Sequence, residues 1–164
     1  MIKWLQLSER PPLDLDLDFA HGARCGDVRN AVKYNYRGGV VFPSAALGVI
    51  YDAGTHSQGF HTGHNGDIVA MAMSASGLVV ATGDAGKAPV VRLWDALTGK
   101  LLKALPRVHL KGVGQLAFSA DGKWLASVGQ DTNHTIATYY SPTGFWHDVS
   151  LPFFFAHALL FYCI

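Results

Sequence analysis

The stretch GHNGDIVAMAMSASGLVVATGDAGKAPVVRLWD, residues 63–95, decides the fold class of this chain. It contains two short apolar runs, at residues 68–73 and 78–81, and a third, mostly apolar stretch at residues 90–94 (VVRLW), and turn-forming residues separate them. Short apolar runs bounded by glycine, proline and serine are typical of β-strands. The stretch therefore predicts a small antiparallel sheet, and it places the chain in the all-β class.

The order of residues in this stretch resembles a WD repeat, the unit that forms one four-stranded blade of a β-propeller. In that family a His after Gly, a Ser or Thr on the second strand, an Asp in the next turn and a Trp on the third strand form a hydrogen-bonded chain. The resemblance gives these structural roles to His64, Thr82 and Trp94, with Asp95 closing the repeat. The segment after Asp84 is longer than the family's tight turn, which leaves open whether Asp84 reaches the chain. We expect a structural role, and no catalytic one, for His64, Thr82 and Trp94.

A second copy of the template follows in residues 101–131, LLKALPRVHLKGVGQLAFSADGKWLASVGQD. In this copy His109 stands in the place of His64, and Ser127 stands in the place of a Thr. A third strand is predicted at residues 134–139, ending in Tyr139 where a Trp is expected. A Tyr keeps aromatic bulk but lacks the indole N–H, so this blade is predicted to be held less firmly.

Residues 21–52, HGARCGDVRNAVKYNYRGGVVFPSAALGVIYD, resemble the HELP motif that precedes WD repeats in echinoderm microtubule-associated-protein-like (EMAP-like) proteins. Without the resemblance, the apolar runs 40–42 and 47–51 predict a hairpin or two adjoining buried strands. The charged residues upstream are predicted to fix the leading loop through charge-assisted hydrogen bonds, with partner binding as the alternative. The matching residues are Gly22, Arg24, Asp27, Arg29, Asn30, Gly39, Val40, Val41, Ala46, Val49 and Tyr51.

These motifs divide the chain into an N-terminal extension (1–20), a HELP-like segment (21–62), a WD-repeat blade (63–105), a second, divergent blade (106–151) and an apolar tail (152–164). A closed propeller needs roughly four to eight blades. The sequence therefore predicts a partial propeller, as a fragment of a larger or tandem one or as an arc that another chain completes. The apolar end LPFFFAHALLFYCI leaves three interpretations open: a buried or docking segment, a tail anchor, or a departure from the reading frame.

Charge and cysteine content exclude several function classes. A net charge of +1 predicts no general attraction to nucleic acid or membrane. Cys25 and Cys163 stand at opposite ends of the chain and suit a reducing compartment. The histidines show no spacing typical of a metal site, and no cofactor is predicted. Basic residues dominate the repeats, which indicates a solvated face, with a partner-binding patch for an acidic polymer as the alternative; the residues of this candidate patch are Lys100, Lys103, Arg107 and Lys111.

The resemblance implies a non-enzymatic structural module of the EMAP-like type. Its implied partners are tubulin or microtubules and other assembly proteins that cover the open propeller. Its implied location is the cytoplasmic cytoskeleton, with the axoneme of a cilium or flagellum favoured. The alternative is a generic WD-repeat scaffold unrelated to microtubules. An enzyme ranks third, because the sequence contains neither a GxSxG motif nor a phosphate-binding loop.

Overall fold

The computed structural model describes residues 16–28 and 30–141, and the backbone of residues 147–149. Within these residues all regular structure is β, which confirms the predicted class. The strands are β1 (Lys33–Tyr34), β2 (Val40–Ser44), β3 (Leu47–Asp52), β4 (Ser57–His61), β5 (Ile68–Met73), β6 (Val79–Asp84), β7 (Val91–Asp95), β8 (Leu101–Ala104), β9 (Val113–Phe118), β10 (Trp124–Gly129), β11 (Ile136–Tyr140) and β12 (His147–Val149).

The strands form three antiparallel sheets of four, and each sheet follows chain order: β1 to β4, β5 to β8, and β9 to β12. A four-stranded meander of this kind is one propeller blade, so the partial-propeller prediction is confirmed. The HELP-like region builds a full sheet of its own. The predicted hairpin is its central pair, β2 and β3, and the short strands β1 and β4 flank this pair.

The second sheet lies between the other two and is covered on both faces. One apolar core joins it to the first sheet through Val41, Ile50, Met71, Val80, Trp94 and Ala96. Another joins it to the third sheet through Ala70, Ala72, Ala81, Val91, Leu93, Leu105, Val113, Leu125, Ala137 and Tyr139. Burial on both faces explains why residues 68–73 form a continuous apolar run instead of alternating with polar residues.

The second and third sheets also pack closely at Gly83. A Cβ atom at this position would lie 2.4 Å from Cβ of Val113, inside van der Waals contact. Gly83 therefore allows β6 to pack directly against β9.

Strand pairing shows which residues of the two repeats are equivalent. Thr82 pairs with Arg92 in the second sheet, and Ser127 pairs with Ala137 in the third. Trp94 and Tyr139 each follow two residues later, so they occupy the same position. The third strand of the second repeat begins at Ile136, two residues later than predicted, because His134 has a φ of 46° and its amide closes a turn onto the Asp131 carbonyl.

The described residues contain no helix that is long and apolar enough to cross a membrane. The predicted apolar tail and Cys163 lie outside the described part of the chain. Cys25 is exposed and carries a free thiol.

Candidate functional site

A chain of hydrogen bonds runs through the interior of the second sheet from Trp94 to Asp84. The Trp94 indole N–H donates to Thr82 Oγ1 over 2.9 Å, and Thr82 Oγ1 lies 2.7 Å from His64 Nε2. His64 Nδ1 lies 3.0 Å from Asp84 Oδ2. The Asp84 carboxylate can only accept, so His64 Nδ1–H donates to it; in the neutral imidazole Nε2 then accepts from the Thr82 hydroxyl, which itself accepts from the indole N–H. Each step connects different strands or the loop before β5.

Asp84 does reach this chain, which settles the question that its long turn raised. Strand β6 extends to Asp84, and Asp84 Oδ1 also accepts the Val90 amide over 2.6 Å, which closes the turn. Burial raises the pKa of Asp84, but hydrogen bonds from His64 and Val90 and the nearby Arg92 charge outweigh it, and the net pKa lies below its ordinary value. The carboxylate therefore stays ionised inside the sheet.

Arg92 supplies a positive charge beside this carboxylate. Its Nη1 lies 3.8 Å from Asp84 Oδ2 and 3.3 Å from His64 Nδ1. Since His64 Nδ1 carries a proton in the direction assigned above, the favourable contact of Arg92 is the one with Asp84. The ion pair reduces the cost of burying Asp84.

His61 links the first sheet to this network, and sequence reasoning gave it no role. Its ring stacks on Trp94 with centroids 5.2 Å apart and planes 6° apart, and Nδ1 lies 2.9 Å from the Gly99 carbonyl oxygen. The carbonyl accepts, so Nδ1 is protonated and Nε2 is not. Burial is the main reason that the pKa of His61 lies below its ordinary value, and His64 and Arg92 lower it further. In the sequence, the only feature that pointed to His61 was its position just before Gly63 and His64.

Asn35 is a second polar residue that the sequence analysis missed. It is buried in the turn between β1 and β2, where its side-chain oxygen accepts the amides of Arg37 and Gly39. Its Nδ2 donates to the Ala96 carbonyl over 3.0 Å. Asn35 therefore shapes a turn of the first sheet and attaches it to the second. An Asn three residues before a Gly-Gly pair (NYRGG) is a turn signal that could have identified it.

The third sheet contains a related but different set of polar residues. His109 Nε2 lies 2.7 Å from Ser127 Oγ, and both residues are buried. Asp131 accepts the amide and the hydroxyl of Thr135, at 2.9 and 2.7 Å. Burial lowers the pKa of His109. Ala137 stands where the second sheet has Arg92, so this sheet places no arginine beside its histidine.

The hydroxyl, imidazole and carboxylate of Thr82, His64 and Asp84 are the groups of a nucleophilic triad, but their surroundings are not those of an active site. The Thr82 side chain is 0% exposed, and its oxygen already contacts Trp94. A nucleophile must reach its substrate. The set therefore stabilises the sheet. Nor do the described residues include a group of three or more His, Cys, Asp or Glu side chains placed to hold a metal ion.

Asp95 lies outside the buried chain, contrary to its assignment to the same structural set. Its Oδ1 accepts the amides of Leu97 and Thr98 and the Thr98 hydroxyl, at 3.0, 2.8 and 2.9 Å. Asp95 thus caps the turn between β7 and β8, a common role for an Asp that precedes a turn.

The HELP-like residues are spread along the leading segment. Arg24 forms two hydrogen bonds with Asp27, at 2.9 and 2.7 Å, and a third with Asp67 in the loop before β5. These bonds raise the pKa of Arg24 and tie the leading loop to the second sheet. Asn30 accepts a hydrogen bond from Lys33.

Two further HELP-like positions lie apart from Arg24. The Tyr51 hydroxyl lies 2.9 Å from His56 Nδ1, and the Tyr51 ring also contacts Phe19. Gly22 has a φ of 102°, a conformation that side chains rarely adopt. Arg29 lies outside the described residues.

The four basic residues of the predicted patch are all exposed, but they do not lie together. The Lys100 carbonyl accepts the amide of Asp95, at the end of β7, whereas the Lys111 carbonyl accepts the amide of Gly86, beyond the opposite end of β6. Strands rise about 3.3 Å per residue, so the five residues of β7 separate these two ends by roughly 15 Å. Lys103 lies between them on β8, and Arg107 lies at the Lys111 end.

Comparisons with known proteins agree with this architecture. The HELP motif matches residues 10–49, and the WD domain, G-beta repeat, matches residues 56–95 and 99–136. A ciliary WD repeat-containing protein, ctxp80, of Euplotoides octocarinatus is 32% identical over 146 residues, which cover 78% of this chain and 20% of the relative. The 77 kDa echinoderm microtubule-associated protein of Strongylocentrotus purpuratus is 30% identical over 139 residues, 79% of this chain and 20% of the relative.

A further relative, the echinoderm microtubule-associated protein-like 2 of Rattus norvegicus, is 30% identical over 149 residues, 80% of this chain and 22% of the relative. The chain thus spans about a fifth of the length of these relatives. The matches place a HELP motif directly before WD repeats, in the region where the three sheets lie. By this order of motifs and these relatives, the chain belongs to the echinoderm microtubule-associated-protein-like family.

Proposed function

We propose that this chain is a non-enzymatic, protein-binding part of a microtubule-associated assembly, with the axoneme of a cilium or flagellum as its site. The observation that carries the proposal is the HELP motif followed by WD repeats. Relatives that match across most of the chain are named as microtubule-associated and ciliary proteins.

The interior supports a platform that binds by shape rather than one that reacts. In the second sheet, the buried side chains of Trp94, Thr82 and His64 bond to one another, and the Thr82 hydroxyl is enclosed. A satisfied polar network in a low-dielectric interior favours one arrangement of the strands. The exposed turns and outer strands then have fixed positions relative to one another, as a binding surface requires.

The surface supports partners that are acidic and that also cover apolar side chains. All four residues of β8 are exposed, among them Leu101 and Leu102 at 45% and 53%. The predicted cations Lys100, Lys103, Arg107 and Lys111 lie on this strand and at its two ends. Contact with tubulin through these cations would be steered by charge, while neighbouring assembly proteins would cover the leucines.

Co-sedimentation of the full chain with stabilised microtubules tests the proposal. We expect the chain to pellet with microtubules, and we expect the bound fraction to fall as salt rises. The reason is that the Debye length shortens from ~30 Å at 0.01 M to ~8 Å at 0.15 M ionic strength. Bovine serum albumin is the control for trapping in the pellet. A chain that stays in the supernatant at low salt would instead be a WD-repeat scaffold for other partners.

The location is tested in a ciliated cell that expresses the tagged full chain. We expect the tag in the detergent-resistant axoneme fraction, together with tubulin. A tag found only in the cell body would show that the cilium is not the site. The proposed microtubule contact would then still be decided by the sedimentation experiment.

A further inference from the structure

Three cations and an exposed leucine lie at one end of the second sheet. Arg107, Leu110 and Lys111 belong to the connection between β8 and β9, and Lys87 belongs to the turn between β6 and β7. The Gly86 amide donates to the Lys111 carbonyl over 2.9 Å, which brings the backbone beside Lys87 against Lys111. We call these four residues the loop-end cluster.

The connection that carries the cluster is anchored at several points. The Leu105 amide donates to the Val91 carbonyl, and the Gln130 amide donates to the Gly112 carbonyl, both over 2.9 Å. Between these points His109 is buried against Ser127. Leu110, the next residue, is 72% exposed, the largest exposure among the large apolar residues that the structure describes. The loop is thus fixed from inside, and Leu110 contributes little to its packing.

The charge of the cluster is not balanced within the described residues. The carboxylates at this end are engaged elsewhere: Asp84 with His64 and Arg92, Asp131 with Thr135, and Asp67 with Arg24. None of the ion pairs in the described part of the chain includes Lys87, Arg107 or Lys111. Neighbouring cations without a counter-charge attract an acidic partner, and this attraction strengthens as contact excludes water.

We propose that the loop-end cluster is a docking surface for an acidic protein segment that also carries an apolar side chain. The acidic groups pair with Lys87, Arg107 and Lys111, and the apolar side chain packs on Leu110. An exposed leucine inside a basic cluster fits such a segment better than a uniformly charged polymer does, because a leucine gains only from apolar contact. The inference deepens the proposed function by assigning the contact to one end of the sheet.

Fluorescence anisotropy with a labelled glutamate-rich peptide that contains one leucine tests this surface, using the full chain. The double substitution Lys87→Glu with Lys111→Glu should weaken binding about tenfold or more. The matched control is Arg37→Glu with Lys123→Glu, which makes the same change in net charge at exposed turns of the opposite end. It should change the affinity by no more than about twofold. Equal weakening by both pairs would overturn the proposal.

The apolar part of the contact has its own test. Leu110→Ser should weaken binding of the leucine-containing peptide about tenfold, the effect of uncovering one leucine side chain. It should leave binding of the same peptide with glycine in place of leucine unchanged. Leu78→Ser, at an exposed leucine of the opposite end, is the control and should have no effect. Single-stranded DNA that competes as well as the peptide would show a general anion surface and overturn the proposal.

Microtubule co-sedimentation of the same variants separates this inference from the proposed function. If the parent pellets and only the Lys87→Glu, Lys111→Glu chain is lost from the pellet, both stand. If all variants pellet equally, the docking surface is wrong and the function stands. If no chain pellets but the peptide results hold, the surface stands and its acidic partner is a protein other than tubulin.

Discussion

Replacement of Trp94 by Ala should damage folding rather than an isolated binding step. The indole is 0% exposed, stacks on His61 and donates its N–H to Thr82. It also packs on Gly48, where an added Cβ would lie 2.6 Å from the ring. Trp94 therefore joins the first sheet to the second, and its removal affects packing and the hydrogen-bonded chain together.

The magnitude follows from these contacts. Truncation of a buried Trp to Ala costs about 3–5 kcal/mol of unfolding free energy. In a chain of this size each kcal/mol lowers the melting temperature by about 2–4 °C, so we expect a fall of roughly 6–20 °C. Trp94→Phe keeps a ring but leaves the buried Thr82 hydroxyl without its donor, at a cost of about 1–3 kcal/mol.

Thermal melting followed by circular dichroism measures both variants. Trp124→Ala is the matched control, because Trp124 is only partly buried. Its ring contacts the Tyr140 ring, with the ring centroids 4.4 Å apart. It should lower the melting temperature less than Trp94→Ala does. If Trp94→Ala melts like the parent and yet loses its partner, the structural role that we give to the indole is wrong.

Three other predictions concern the same interior. Gly48→Ala should destabilise the fold by about 1–3 kcal/mol, because its methyl group would meet Trp94; Gly26→Ala has open space and should be neutral in a urea melt. Asp84→Asn should lower the free energy of unfolding by about 1.5–3 kcal/mol in the same urea melt. The control Asp27→Asn, at an exposed carboxylate, should change that free energy little. Burial lowers the pKa of His61 and His109 from about 6.5, so unfolding free energy should be constant above that pH and fall as the pH drops below it. His61→Gln should make this fall shallower, and a stability independent of pH between about 5 and 7.5 would contradict the assignment.

Strands with strong apolar patterns could be predicted from the sequence, and those defined by their neighbours could not. Strand β5 and the central pair β2 and β3 coincide with apolar runs. Strand β4 has the sequence SQGFH, which has no alternation typical of a strand. It is a strand because β3 offers it a continuous register from Gly48 to Asp52. Such pairing depends on tertiary context, which a local pattern does not contain.

The polar residues show the same limit. His64, Thr82 and Trp94 stand in an order that a family pattern can reveal, because each has a fixed place in the repeat. Whether Asp84 faces His64 depends on how far β6 extends, and the turn length alone suggested less reach than the strand has. Asn35 and His61 act across the boundary between the first two sheets, and a single repeat contains no information about that boundary.

In the connection between β8 and β9, a residue that stabilises the fold stands directly beside residues that belong only to the surface. His109 points into the third sheet and is 3% exposed, while Leu110 beside it is 72% exposed. A change at His109 must therefore alter stability, because its ring is held against Ser127. Changes at Leu110 and Lys111 remove no contact of the described interior, since Lys111 joins the second sheet through its backbone carbonyl alone. Loss of binding in those variants without loss of stability would consequently report on the surface itself.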